Sequence, residues 1–271
     1  MKTLCYLILT CVLFMTPGFT IQKTTKKIIL EPGNKNVSIE LLNQASRIIY
    51  SRLQTYGLEK SVSVTTNRNQ IDVQFPDNRD LSEIEGLLTV KGNLGFYEVL
   101  TIKEIADLSK NGFTTRPSEA RLECSAFENK NVVDSVKNIL KSTNLLSDYK
   151  LLWSIKNSNS MSCLYAVKIN PALTKADIES INSSKDNQSQ SISIGIKFKP
   201  SYAKTWAEIT KKSLDKPIAI VIDDKVFYTP VVKVPMESGL CEITGNFTQK
   251  EVNYFLALVN NDTLPINLTL R

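Results

Sequence analysis

The sequence predicts an α+β protein: a ferredoxin-like (split βαβ) base subdomain, then a second mixed, antiparallel α+β head subdomain. Three observations predict it. Between residues 27 and 100, apolar residues switch between a period of two and a period of three to four. The order is strand, helix, strand, strand, helix, strand. From residue 151, short alternating runs and helical stripes resume in a different order. The composition is that of a globular chain, 42% apolar and 22% charged over 271 residues, and ten Gly with ten Pro exclude a fibrous or low-complexity protein.

The first element, "MKTLCYLILTCVLFMTPGFTIQ", carries one Lys and then a largely apolar run from Leu4 to Met15. About 12 apolar residues fall short of the roughly 20 that span a bilayer. Pro17-Gly18 breaks the run, and Gly18 and Thr20 are small enough to precede a cut after Thr20, so residues 1–20 read as an export signal. Two other fates stay open: lipidation at Cys11, against the poor lipobox Ile8-Leu9-Thr10, or retention as a short anchor. Membrane association is expected only in those two cases. Lys23, Lys26 and Lys27 disfavour export of the downstream chain.

"KKIILEP" is a strand stopped by Pro32-Gly33. Ile39, Leu42, Ala45, Ile49, Leu53 and Tyr56 then form a helical stripe with Gly57 at the C-cap. Val62/Val64 and Ile71/Val73/Phe75 alternate on two strands around the turn Asn67-Arg68-Asn69. Asp80 and Glu83 are spaced as a capping box for "LSEIEGLLTVKG", and "LGFYEVL" is the fourth strand of the base. Residues 106–150 read as a connecting segment with one helix, on which Val132, Val136 and Ile139-Leu140 are in register.

The second block begins with "LLWSIKNSNSMSCLYAVKIN", a hairpin turning at Ser158-Asn159-Ser160. "TKADIESI" reads as a short helix capped by Thr174, and "NSSKDNQSQS" as a polar loop. Ile192, Ile194, Ile196 and Phe198 alternate inward, and Pro200 opens a helix. "PIAIVIDDKVFYTPVV" is a hairpin turning at Asp223-Asp224. "CEITGNF" is a strand, Thr248 and Glu251 form a capping box for "QKEVNYFLALVN", and "PINLTL" is the closing strand.

Chemistry is mostly excluded. With no histidine there is no Ser-His-Asp or Cys-His site, no histidine zinc centre and no imidazole switch. A net charge of +6 comes from scattered basic residues rather than a basic face, which points away from nucleic acid. Asp223 and Asp224 occupy a turn, where Asp is favoured for geometric reasons. Cys163 and Cys241 lie in strands as small apolar residues, and Cys124 is the most exposed of the three thiols after the leader. Three cysteines leave one disulfide open and one thiol over. Tyr56, Phe96, Tyr97, Trp153 and Trp206 fall on separate elements and read as core anchors. No Gly-rich phosphate loop or metal-ligand spacing is present, so no catalytic residue, cofactor or metal is expected. Asn-x-Ser/Thr sequons, Asn36 and Asn267 among them, suit an exported surface.

The stretch from "IAIVIDDKVFYTPVV" to "LPINLTL" resembles the end of the first periplasmic domain of SecD, the accessory subunit of the bacterial Sec translocase. The positions that carry the resemblance are Lys225-Val226, Pro230-Val231, Gly239, Gly245/Phe247 and Leu264-Pro265. Upstream, "ASRIIYSRLQTYG" is similar to the family's arginine-bearing helix, and "LYAVKINPALTKADIES" to the start of its head subdomain. The Asp-Leu-x-Gly-Gly stretch usual near the family's first strand is missing here. The family's glycine before Leu-Pro is Asp262, and its hairpin glycine is Asp224.

The resemblance implies a base at 24–105, a helical connection at 106–150 and a head-like subdomain at 151–271 whose last strand can return to the base. It implies a periplasmic or cell-envelope protein, not an enzyme, that binds exported, unfolded polypeptide or Sec translocon components, with its head moving relative to its base. Without the family's membrane bundle, proton-driven pulling is not expected, and binding is expected to be passive. The alternative is an envelope adaptor or assembly protein using the same fold with an unrelated partner.

Overall fold

The computed structural model describes residues 25–34, 36–58, 62–76, 81–109, 121–125, 130–156 and 160–271. β1 (Thr25–Pro32) leads into α1 (Ile39–Tyr56). The Ser38 hydroxyl accepts from Leu41 N at the helix start, and Gly57 ends the helix at φ 104°. β2 (Ser63–Asn67) and β3 (Gln70–Pro76) form a hairpin, and α2 (Leu81–Thr89) precedes β4 (Leu94–Leu100). α3 (Ile102–Ser109), β5 (Glu123–Ser125) and α4 (Lys130–Ser142) come after it. Next are β6 (Tyr149–Trp153), β7 (Ser162–Lys168), β8 (Leu173–Thr174), β9 (Ile178–Lys185) and β10 (Ile192–Phe198). α5 (Pro200–Lys212), β11 (Ile218–Ile222), β12 (Lys225–Tyr228), β13 (Leu240–Gly245), α6 (Gln249–Val259) and β14 (Leu268–Leu270) complete the chain order.

The α+β class holds, with antiparallel pairing throughout the named strands. The base sheet runs β14-β1-β3-β2, the strand order of a ferredoxin-like sheet, but its fourth strand is not the expected one. β14 pairs with β1 through Leu30 opposite Leu270, while "LGFYEVL" joins another sheet, β12-β11-β4-β7-β5, to which β6 and β8 add. Burial explains the exchange. Ile28, Leu30, Ile71, Val73 and Phe75 are buried on one face of the base sheet, while Lys27 and Asp72 pair at 3.0 Å on the other. β4 is apolar almost throughout and needs cover on both faces. Phe96 goes into one core, while Tyr97 and Val99 go into another, with Leu152, Val167 and Val226.

The third sheet, β13-β10-β9, places Ile192, Ile194, Ile196 and Phe198 inward, as their alternation predicts. Two expectations fail beside it. Only Lys175–Asp177 is helical, one 3₁₀ turn with a Thr174/Asp177 capping box. Residues 178–185 are strand, so the polar loop shrinks to the turn between Lys185 and Ile192. β9 has a single buried apolar residue, Ile181, and hydrogen bonding to β10 makes it a strand where its own pattern does not.

The Asp80/Glu83 box and most of the Ser158-Asn159-Ser160 turn lie outside the described residues. The Thr248/Glu251 box is formed, and Ile39, expected on the buried stripe of α1, is 57% exposed.

Phe96, Phe198 and Trp206 knit two sheets to α5, with ring centroids 4.6–5.6 Å apart. Phe198→Ala is expected to cost about 3–5 kcal/mol. Urea unfolding should show a lower midpoint with the slope unchanged.

Candidate functional site

The resemblance positions do not converge on one site. Lys225 and Val226 start β12, the first exposed beyond the hairpin turn and the second buried. The Pro230 carbonyl accepts from Ile218 N at 3.0 Å, holding the chain beyond β12 against β11. Gly239, at φ +71°, lets its backbone pass Ala203, whose Cβ would lie 3.0 Å from an added Cβ. Gly245 faces the Phe247 ring, which meets Tyr228 edge-on at 4.9 Å. Leu264 is buried and donates its N–H to the Lys91 carbonyl, and Pro265 comes directly after it.

Asp223 and Asp224 diverge at the β11–β12 turn. The Asp223 carboxylate accepts from Gly92 N (3.2 Å), Asn93 N (3.0 Å) and Asn93 Nδ2 (2.8 Å), clamping the α2–β4 loop. Asp224 points out toward Lys150, 3.8 Å away. Among the described residues no cluster of three or more metal-ligating side chains occurs. Cys124 and Cys163 are directly opposite on β5 and β7 and form a disulfide, the one pairing that the three cysteines had left open. Among the described residues Cys241 is the free cysteine, and burial pushes its thiol up to about 12.

Sequence reasoning passed over Arg52. Its side chain is fully buried on α1 and donates to the carbonyls of Val90 (2.6 Å), Lys91 (2.6 Å), Leu87 (3.3 Å) and Asp262 (3.3 Å). Burial lowers its pKa to about 10, opposed chiefly by the charge of Asp223. Gly92 is required beside it. At φ +92°, an added Cβ would meet Arg52 Nη2 at 2.7 Å and the Leu258 carbonyl at 3.0 Å. The signal was available as an arginine on the inward stripe of an amphipathic helix, one residue before Leu53. Lys175 donates to the Asn261 carbonyl, one residue from the Asp262 carbonyl that Arg52 engages. Burial, then the charge of Arg52, lowers its pKa to about 8. Beside Lys175 opens a cleft of about 460 Å³, lined also by Tyr97, Pro171, Asp223 and Asp262.

A second groove, about 670 Å³, lies over the outer face of β13-β10-β9. Val231, Val234, Met236 and Leu240 line it together with polar residues such as Asn182 and Ser193. Val234 and Leu240, 61% and 53% exposed, are the most exposed large apolar residues described apart from Ile39. Its lysines are neutralised, Lys197 by Glu179 at 2.8 Å and Lys233 by Asp215 at 3.3 Å. Among the described residues β13 pairs with β10 alone, so its outer edge is open to another strand. At the far side, the Ile181 carbonyl on β9 already accepts from Asn260 Nδ2 at 3.2 Å.

The family model of the SecDF P1 head subdomain matches residues 150–266, the stretch that holds the open groove and Lys175. The chain is SecD-like. Protein translocase subunit SecD of Rickettsia conorii is 28% identical over 264 residues, 92% of this chain and 44% of the relative. SecD of Petrotoga mobilis is 23% identical over 247 residues, 88% of this chain and 47% of the relative. SecD of Acidaminococcus fermentans reaches 31% over 99 residues, 36% of this chain and 24% of the relative. The SecD-like chain thus spans less than half the length of these relatives. Two solved structures share its fold. One, of a membrane component SecDF that enhances protein export, covers 90% of this chain and 97% of its own at TM-score 0.50 and 18% identity. The other, SecDF in a super-membrane-facing form, covers 90% and 29% at TM-score 0.51 and 20% identity. Among the described residues no helix is long and apolar enough to cross a membrane.

Arg52→Met is expected to destabilise the fold by about 3–5 kcal/mol, because buried carbonyls lose their donors. Arg52→Lys should recover little of this, since an ammonium cannot serve the same fork of acceptors. Equilibrium unfolding of the three proteins checks both statements. For Lys175 the sign follows from the lowered folded pKa. Between about 8 and the ordinary value of 10.5 the unfolded chain binds more protons, so stability rises with pH. Relative to Lys175→Met, the wild type should gain about 1 kcal/mol across that window, after discounting for solvent screening of a partly exposed amine.

Proposed function

We propose that this chain acts in the cell envelope as a non-catalytic module of Sec-dependent protein export, holding extended polypeptide along the open edge of β13. The observation that carries the reading is that edge, beside a groove of mixed apolar and hydroxyl or amide lining. Main-chain hydrogen bonds to a strand edge hold any sequence, and alternate side chains then meet the apolar residues. With its lysines paired, Glu242 is the further charge of the lining, so the groove carries at most a weak preference for basic segments, which suits a binder of many exported chains. The names of the relatives, translocase subunit SecD and SecDF, support the export setting. The Cys124–Cys163 disulfide supports a compartment outside the reducing cytosol.

In this reading the head at 151–271 does the holding, and the base at 24–105 with the connection at 106–150 orients it. The resemblance positions Lys225, Val226, Pro230, Gly239, Gly245, Phe247, Leu264 and Pro265 keep the β11–β12 hairpin, β13 and the junction in place. Sec translocon components are the expected neighbours, and an envelope adaptor with an unrelated partner is the competing outcome.

A labelled, unfolded peptide with alternating apolar residues is titrated with the full chain by fluorescence anisotropy. Leu240→Asp should weaken binding about tenfold, equivalent to about 1.4 kcal/mol. Thr65→Asp, on the exposed base strand β2, should leave it unchanged. Equal affinities for all three proteins would remove β13 as the binding edge. In cells, photocrosslinking from position 234 should recover exported chains or translocon subunits, and recovery of unrelated envelope proteins alone would favour the adaptor.

A further inference from the structure

We propose that the Cys124–Cys163 disulfide is a redox-controlled clasp that holds the cap formed by α3, β5 and α4 onto the β4–β7 sheet. Besides the disulfide, the described residues show a short ladder between β5 and β7, with Leu122 packed at its end. β5 has three residues, paired Glu123 to Leu164, Cys124 to Cys163 and Ser125 to Ser162, and one flanking bond from Leu122 N to the Leu164 carbonyl at 2.8 Å. The cap has its own small core, in which Ile105 and Leu140 pack with Leu100 and Ala166. Among the described residues, none of the cap belongs to the large core that joins the other two sheets. Lifting the cap therefore breaks this small core and the Glu104–Lys216 ion pair between α3 and the chain before β11, and leaves the Arg52 junction and the β13-β10-β9 sheet intact.

The disulfide closes a separation of 39 residues between strands that otherwise share few bonds, so its scission greatly widens what the cap can explore. Its two sulfurs are unequal in access. Cys124 is half-buried at the sheet end, whereas Cys163 is buried among Tyr97, Val99, Leu152 and Val226. A dithiol reductant in its thiolate form attacks the Cys124 sulfur, and the S–S bond breaks with its electron pair passing to Cys163. Cys163 takes a proton. The reductant's second thiolate then attacks its own sulfur in the mixed disulfide, releasing Cys124 as a thiol and closing a cyclic disulfide. Two electrons and two protons pass to the protein, and the reductant is oxidised to a disulfide. A thiolate is disfavoured in the apolar surroundings of Cys163, so the exchange is coupled to lifting of β5, which admits water.

The test is hydrogen exchange of the full chain before and after treatment with dithiothreitol, with alkylation mass shifts reporting which cysteines have been reduced. Reduction should label Cys124 and Cys163 and leave the buried Cys241 unlabelled. Amides of residues 122–125, 130–142 and 162–164 should then exchange at least about tenfold faster, while those of 39–56 and 192–198 keep their protection. The double variant Cys124→Ala/Cys163→Ala should reproduce the reduced pattern and ignore the reductant. Resistance of the folded protein to the dithiol, or reduction without faster exchange in the cap, overturns the proposal. Loss of protection throughout the chain overturns it as well, because the disulfide would then hold the whole fold.

Discussion

A guanidinium with no exposure to water has to be met by acceptors, and Arg52 meets four backbone carbonyls drawn from two separate stretches of chain. Two of the carbonyls, at Val90 and Lys91, belong to the α2–β4 connection, and a third, at Asp262, lies between α6 and β14. Neither connection has a strand or helix ladder to fix it at that point. The charge does so instead. Its cost of desolvation is offset only while all acceptors stay in place, which makes the arrangement sharply defined rather than merely adhesive. Asp223 reinforces it by gripping Gly92 and Asn93 from the head side. Leu264 shares the Lys91 carbonyl. The course of β4, the direction of α6 and the approach of β14 all follow from this one buried group.

The junction also divides labour between the sheets. β4 and β11 are buried on both faces and form a rigid middle, whereas β13-β10-β9 hides one face and offers the other. In the proposed role, such a surface has to keep an unsatisfied edge in water without losing its shape. Here the packed rings of Phe198 and Trp206 behind β10 supply the stiffness, and the paired lysines in front keep the edge soluble.

How much of this was legible depends on which residues signal their own environment. Ile71, Val73 and Phe75, or Ile192 to Phe198, alternate because one face is wet, so their strands were readable from spacing alone. Thr248 and Glu251 announced α6 by reciprocal capping. The unbroken apolar run of β4 marked a strand covered on both sides, and that signal was present but assigned to the wrong sheet. β9 carried almost no pattern, because an edge strand with one buried side chain takes its conformation from its neighbour. Arg52 looked like any helical arginine, since nothing local shows that its partners lie 35 and more residues away. The Cys124–Cys163 pairing was equally non-local. The groove was the least legible part, because it is defined by what β13 fails to pair with.

Leu30 faces Leu270 across the β1–β14 ladder, so the first and last described strands lie side by side, with the stretch that matches the head subdomain threaded between them. For a polypeptide delivered N-terminus first, this sets an order of assembly. Pairing β2 with β3 and β9 with β10 needs only neighbours in sequence, but the base sheet stays one strand short until residue 270 has arrived. Contacts at such separation form late and slowly. During delivery, then, β1 presents a bare flank of its own, and the protein passes through a stage in which it resembles the unfinished chains it is proposed to hold.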